Sequence, residues 1–193
     1  EVTIVVAALR CTPLPLSHEL LQRCQAPSAR VARAALLRLA DFHGEEPGRR
    51  GQWVEAALNA LERPEAQVRR AALQLLHSHH DLLPAETAVW QRISRHLEES
   101  SKVNRDRAIA LMSVCPLDLG PLLKGHLESA SGLTARAAVL CLSQSPRRES
   151  REALNQVLRS QVQQLWVCSL LQPPAVEHHV RLEYLHLCLD NAR

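Results

Sequence analysis

The amino-acid sequence predicts an all-α fold, built as about five helical hairpins stacked in series. Three observations carry this. Apolar residues recur three and four apart through most of the chain, the spacing of a helix with one buried stripe. Prolines fall at or near the ends of the segments so defined, where a missing amide donor and a fixed φ do least harm. Four of the segments share a short string at a nearly regular interval. Composition agrees: aromatics are 3% of the 193 residues and there are only 6 glycines, so the interior is Leu, Ala and Val, which suits helices better than sandwiches. No two stretches read as strands joined by hairpin turn chemistry.

Taken in order, residues 2–11 mix β-branched Ile4, Val5 and Val6 with Ala7, Ala8 and Leu9 and are read as a helix left from a preceding hairpin, ended by Pro13 and Pro15. A short helix follows from Leu16 to Cys24, capped by Ser17 with Leu20 inward. Ser28 caps a helix to about Phe42, apolar along Val31, Ala35, Leu36 and Leu39. Asp41 to Gly51, with Pro47, Arg49 and Arg50, reads as an exposed loop. The clearest stretch is Trp53 to His77. Its first helix carries Trp53, Ala56, Ala57, Ala60 and Leu61, and its second Val68, Ala71, Ala72, Leu75 and Leu76. Arg63-Pro64-Glu65 turns the chain between them. After Pro84 a helix from about Ala85 to Glu99 carries Val89, Trp90, Ile93 and Leu97, and the next carries Ala108, Leu111 and Met112 up to Pro116. Asp118 caps a helix with Pro121 in its first turn, and Ser131 caps one through Ala137, Ala138, Leu140 and Cys141. Beyond Pro146, helices are expected around Ala153 to Leu158 and Leu165 to Leu171, then a terminal one from Val176 to Leu189 after Pro173-Pro174. The expected units are about 16–42, 52–80, 85–114, 118–144 and 148–171, with a terminal helix over 175–190.

The shared string is Arg33-Ala34-Ala35-Leu36, Arg70-Ala71-Ala72-Leu73, Arg107-Ala108-Ile109-Ala110 and Arg136-Ala137-Ala138-Val139, its arginines 37, 37 and 29 residues apart. One hairpin per interval is the signature of a solenoid, in which each unit covers its neighbour's apolar face. At Leu58 to Leu76 the chain resembles the HEAT-repeat family and its relative, the armadillo repeats: Leu58, Leu61, Pro64, Val68, Arg69, Ala72 and Leu76 stand where the family pattern has a leucine-rich first helix, a Pro turn, Val-Arg and a small-residue second helix. Ala29 to Leu39 matches with Ala32 in place of Arg, and the unit around Arg107 puts Arg105 where Val is usual. The resemblance implies a right-handed α-solenoid with first helices outside and second helices lining an inner surface. It implies no particular function.

Stacked in line, Arg33, Arg70, Arg107 and Arg136 would form a basic track on the inner helices, with Gln74 and His77 one and two turns beyond Arg70. Such a track suits an acidic peptide or helical segment, and less well a phosphate backbone; the plainer reading is that each arginine pairs locally with a carboxylate or covers apolar surface with its stem. Arg49 and Arg50 offer a secondary contact in the loop. His77, His79 and His80, and His178, His179 and His186, lack acidic or thiol partners at ligand spacing and are read as surface residues, so no metal is expected. Of Trp53, Trp90 and Trp166, the first two are read as wedges between hairpins, with a partner anchor as the alternative. Phosphate-binding glycine loops, nucleophile elbows and His-Glu-x-x-His are absent, and neither a catalytic residue, a cofactor nor a small-molecule substrate is expected. The six cysteines form no Cys-x-x-Cys pair and are read as reduced core residues of an intracellular protein, cytoplasmic or nuclear. No apolar run is long enough to span a bilayer. The chain begins at Glu1 and is read as part of a longer protein. The expectation is a protein-interaction scaffold or adaptor in a larger assembly; a nucleic-acid-binding repeat module is the alternative, which a net charge of +3 does little to support.

Overall fold

The computed structural model describes residues 17–41, 47–129 and 131–161. Within them the chain is helical and contains no strand. The helices are α1 (Ser17–Cys24), α2 (Ala29–Ala40), α3 (Pro47–Leu61), α4 (Ala66–Ser78), α5 (Thr87–Ser94), α6 (Lys102–Ser113), α7 (Leu119–Leu127), α8 (Gly132–Gln144) and α9 (Arg148–Gln161). Short 3-10 turns occupy His80–Leu82 and Arg95–Glu98. Each helix packs on the next in sequence within a pair: α1 on α2, α3 on α4, α5 on α6 and α7 on α8. It also packs on the helix two further along. The odd helices touch in the series α1–α3–α5–α7–α9, and the even ones in the series α2–α4–α6–α8.

Periodic apolar stripes explain this arrangement. On α4, Val68, Ala71, Ala72, Leu73, Leu75 and Leu76 are all buried, too many for one partner helix to cover. They divide among α2, α3 and α6. Small residues such as Ala35, Ala72, Ala108 and Ala138, each fully buried, let the even helices approach closely. Trp53 and Trp90 are also buried; Trp90 donates its indole N–H to the Pro84 carbonyl at 3.1 Å. Neither is placed to anchor a partner.

Several expectations are corrected in detail. The stretch from Asp41 to Gly51 is not all loop: α3 begins at Pro47, with proline in the first turn where its missing N–H costs nothing. The helix expected from Ala85 begins at Thr87 and tightens into a 3-10 turn at Arg95. Ser28 stands at the N-cap position of α2 without a side-chain capping bond. Asp118 and Ser131 do cap, accepting from the backbone N–H of Gly120 at 2.9 Å and of Thr134 at 3.4 Å. His79, expected at the surface, is buried, its Nε2 3.2 Å from the Leu39 carbonyl and its ring edge-on to Trp53 at 5.5 Å. The helices expected over residues 2–11, 165–171 and 176–189, Trp166 and the histidines at 178, 179 and 186 lie outside the described residues.

Arginines tie successive turns together. Arg63, between α3 and α4, donates to the carbonyls of Ala26 and Pro27 in the turn before α2. Arg69 closes its own turn on the Arg63 and Pro64 carbonyls and crosses to Glu99 in the following turn at 2.7 Å. Glu99 also meets His96 Nδ1 at 2.7 Å and accepts from Asn104 Nδ2 at 2.7 Å. Asn104 reaches back with its other N–H to the Ala66 carbonyl. Arg147 repeats the device on the Pro116 carbonyl. Burial alone would raise the Glu99 pKa, but the hydrogen bonds from Arg69, His96 and Asn104 outweigh it and bring it down to about 2.

That pKa has a consequence for stability. Folding lowers it from an ordinary 4.5, so the stabilisation is complete above about pH 4.5 and is lost as the pH falls toward 2. The shift corresponds to roughly 3 kcal/mol. We expect Glu99→Gln to lower the unfolding free energy at pH 7 by about 2–3 kcal/mol in urea titrations, with the gap narrowing below about pH 4.5 and closing only toward pH 2. Equal stability of the two proteins at pH 7 would show that Glu99 does not join the turns.

Candidate functional site

Charge is sorted between the two helix series. The strings of α2, α4, α6 and α8 contain nine Arg and Lys and a single acid, Asp106. The other described carboxylates stand on the odd helices or in turns. Three of the nine cations make structural contacts. Arg69 and Arg105 hold turn carbonyls, and Arg38 makes a contact of its own.

Arg33, Arg70 and Arg136 are exposed. Each is the fifth residue after its helix N-cap, respectively Ser28, Glu65 and Ser131. Arg107 is the sixth after Ser101, which corrects the expected register by one. The exposed equivalent on α6 is Asp106, while Arg107 takes the place of Ala34, Ala71 and Ala137 and is half-buried. The same shift puts Asn104 at the buried position of Val31, Val68 and Thr134, and aligns Arg105 with Arg69. The Arg-Ala string hides this shift, because α6 follows a turn that places its cap one residue early. The caps, and the burial of Asn104, carry the true register.

None of Arg33, Arg70, Arg107 and Arg136 has an ion pair or hydrogen bond among the described residues. The arginines that pair locally are Arg63, Arg69 and Arg92 instead. Gln74 is half-buried one turn past Arg70, and His77 is exposed one turn beyond that. Burial, and secondarily Arg70, pushes the Arg107 guanidinium below its ordinary range. Burial, then His80, then Arg107, lowers His77. Arg107 thus acts on Arg70 and His77 across the packed pair α4 and α6; Arg33 and Arg136 stand on the flanking even helices. Helix α3 includes Arg49 and Arg50 rather than leaving them in a loop.

Apolar side chains share this face. Val103 on α6 is 41% exposed and Leu133 on α8 is 58% exposed, each the second residue after its N-cap. Leu37 and Leu140 are half-buried nine residues after theirs. The four even helices contain no Phe, Tyr or Trp.

Other chemistry is sparse. Cys24, Cys115 and Cys141 are free and buried. Burial pushes the Cys24 thiol up to about 12 and Cys115 to about 11, and raises Cys141 as well, so all three are poor nucleophiles. Cys11, Cys168 and Cys188 lie outside the described residues. Among the described residues no cluster of three His, Cys, Asp or Glu could hold a metal ion, and no helix is long and apolar enough to cross a membrane. An open groove of about 650 Å³ separates α7 from α9. Two of its carboxylates, Glu149 and Glu152, face Arg147 and Arg148.

No protein-family model matches the chain, and no curated protein matches its sequence.

The coupling across α4 and α6 is open to measurement. Arg107→Ala installs the residue found at the equivalent position of the other even helices, so the fold should tolerate it. It removes one of the causes that lower His77. The His77 titration midpoint, followed by NMR of its ring protons, should move up toward the ordinary histidine range; an unmoved midpoint would mean that the two side chains do not interact.

Proposed function

We propose that this chain is a protein-interaction module, a HEAT-like α-solenoid of about five hairpins that holds an acidic, partly apolar partner segment along the exposed face of its second helices. It would serve as a scaffold or adaptor within a larger intracellular assembly. The i to i+2 packing of the helices supports the solenoid, since only neighbours share core in such an array. One observation carries the partner. The even-helix face combines exposed Val103 and Leu133 with arginines that make no ion pair or hydrogen bond among the described residues, and its helices carry no Phe, Tyr or Trp. Arginine forks suit carboxylates, and the interleaved aliphatic side chains suit the apolar residues of an amphipathic segment.

The excess of cations also favours a second reading, a nucleic-acid surface. Against it, single-stranded nucleic acid is commonly held by stacking on aromatic side chains, and none stands on these helices.

The test reverses charge at Arg70→Glu with Arg107→Glu. Affinity capture with the double variant should recover far less of the wild-type partner, a loss of at least about tenfold, while far-ultraviolet circular dichroism stays unchanged. Cross-links from the captured segment should fall on α4, α6 and α8. Undiminished capture would remove the face as the binding surface. Tight oligonucleotide gel shifts with a steep salt dependence would favour the second reading.

A further inference from the structure

The cations of the even helices are not evenly placed. Arg70, Gln74 and His77 lie on one face of α4, four and three residues apart, so they form a ladder of side chains about two turns long. Arg107 stands on α6, which packs directly on α4, and its charge acts on Arg70 and His77. It stands one residue later on its helix than the arginines of α4 and α8, half-buried at a position that is alanine on the other three even helices. His80 adds a further ring, its centroid 6.2 Å from that of His77. No described carboxylate is bonded to any of these groups.

We propose that Arg70, Gln74, His77 and Arg107 form a receptor for a phosphoryl group, a dianionic phosphate monoester carried by the bound segment. Two guanidiniums offer forked donors, the Gln74 amide offers two N–H groups, and the His77 ring supplies another donor. A monoester oxyanion has three acceptor oxygens and close to two charges near neutral pH. A carboxylate presents one charge and two oxygens, and a phosphodiester one charge. Arg70 and Arg107 repel each other when the site is empty, so a dianion between them gains twice, by its own attraction and by screening that repulsion. On α6 a half-buried cation, Arg107, stands where α2, α4 and α8 carry alanine.

This inference rests on the partner-segment reading, and the experiment separates the two. A short acidic, leucine-containing peptide is made with and without one phosphoserine, and each is titrated into the full chain and into Arg107→Ala. Inorganic phosphate and a single-stranded oligonucleotide are titrated in parallel, with His77 and the arginine side chains followed by NMR. The expected result is that the phosphopeptide binds about tenfold more tightly than its unmodified twin, and that Arg107→Ala erases the difference while the helical spectrum is kept. Equal binding of the two peptides overturns the phosphoryl site and leaves the partner reading standing. Saturable binding of inorganic phosphate, lost in Arg107→Ala, with neither peptide bound keeps the receptor but overturns its occupant as part of a segment. Oligonucleotide binding that outcompetes the phosphopeptide overturns the monoester in favour of a nucleic-acid backbone. No response of His77 or Arg107 to any probe overturns the site altogether.

Discussion

No described even helix can bury its apolar stripe against one neighbour, and the rest of the described structure depends on that constraint. Each even helix carries buried residues over a broad arc, as α4 does from Val68 to Leu76. It can satisfy them only by packing at once on its hairpin partner and on the even helices before and after it. Burying surface of this kind contributes about 25 cal/mol per Å², far more than any single polar contact here. What remains uncovered on an even helix is one narrow face. The side chains on that face are thus presented side by side on successive helices, whatever their chemistry.

The polar contacts then refine an arrangement that burial selects. Glu99 shows how. It draws together Arg69 from α4, His96 from its own turn and Asn104 from α6, so one carboxylate sets the height of one pair against the next. A buried charge with its lone pairs answered is tolerable, whereas removing any partner leaves the others uncompensated. Arg63 and Arg147 do similar work on backbone carbonyls, which are acceptors left open where a helix ends.

Arginine has two occupations in this fold, and adjacent residues divide them. Arg69 and Arg70 are neighbours in sequence yet about 100° apart around the helix. The first reaches its turn and Glu99, while the second is left in solvent. Cations held in place by turns are unavailable to a partner. Those on the exposed face of the even helices that make no ion pair or hydrogen bond among the described residues set the charge asymmetry there, because the described acids are placed almost entirely elsewhere. A net charge of +3 conceals this segregation.

Much of the local structure could be read in advance. Apolar periodicity located α2, α4, α6 and α8, because the three-and-four spacing is a property of the chain itself. Asp118 and Ser131 announced their caps, because capping is a contact within four residues. Contacts between distant residues were beyond such reading. Pro47 opens α3 where a proline beside a glycine suggested a loop. His79 is buried against Trp53 and Leu39, a contact that requires three segments to meet. The register of α6 turned on Asn104 bonding Ala66 and Glu99, whereas the Arg107-Ala108 string pointed one residue away. Sequence alone therefore determined which stretches are helical and which stripe of each is apolar, since both follow from neighbours along one helix. Tertiary structure decided which arginines are bound in turns and which make no ion pair or hydrogen bond among the described residues, and it packed the helix of Arg107 on that of Arg70 and His77, since those outcomes depend on how helices are set against one another.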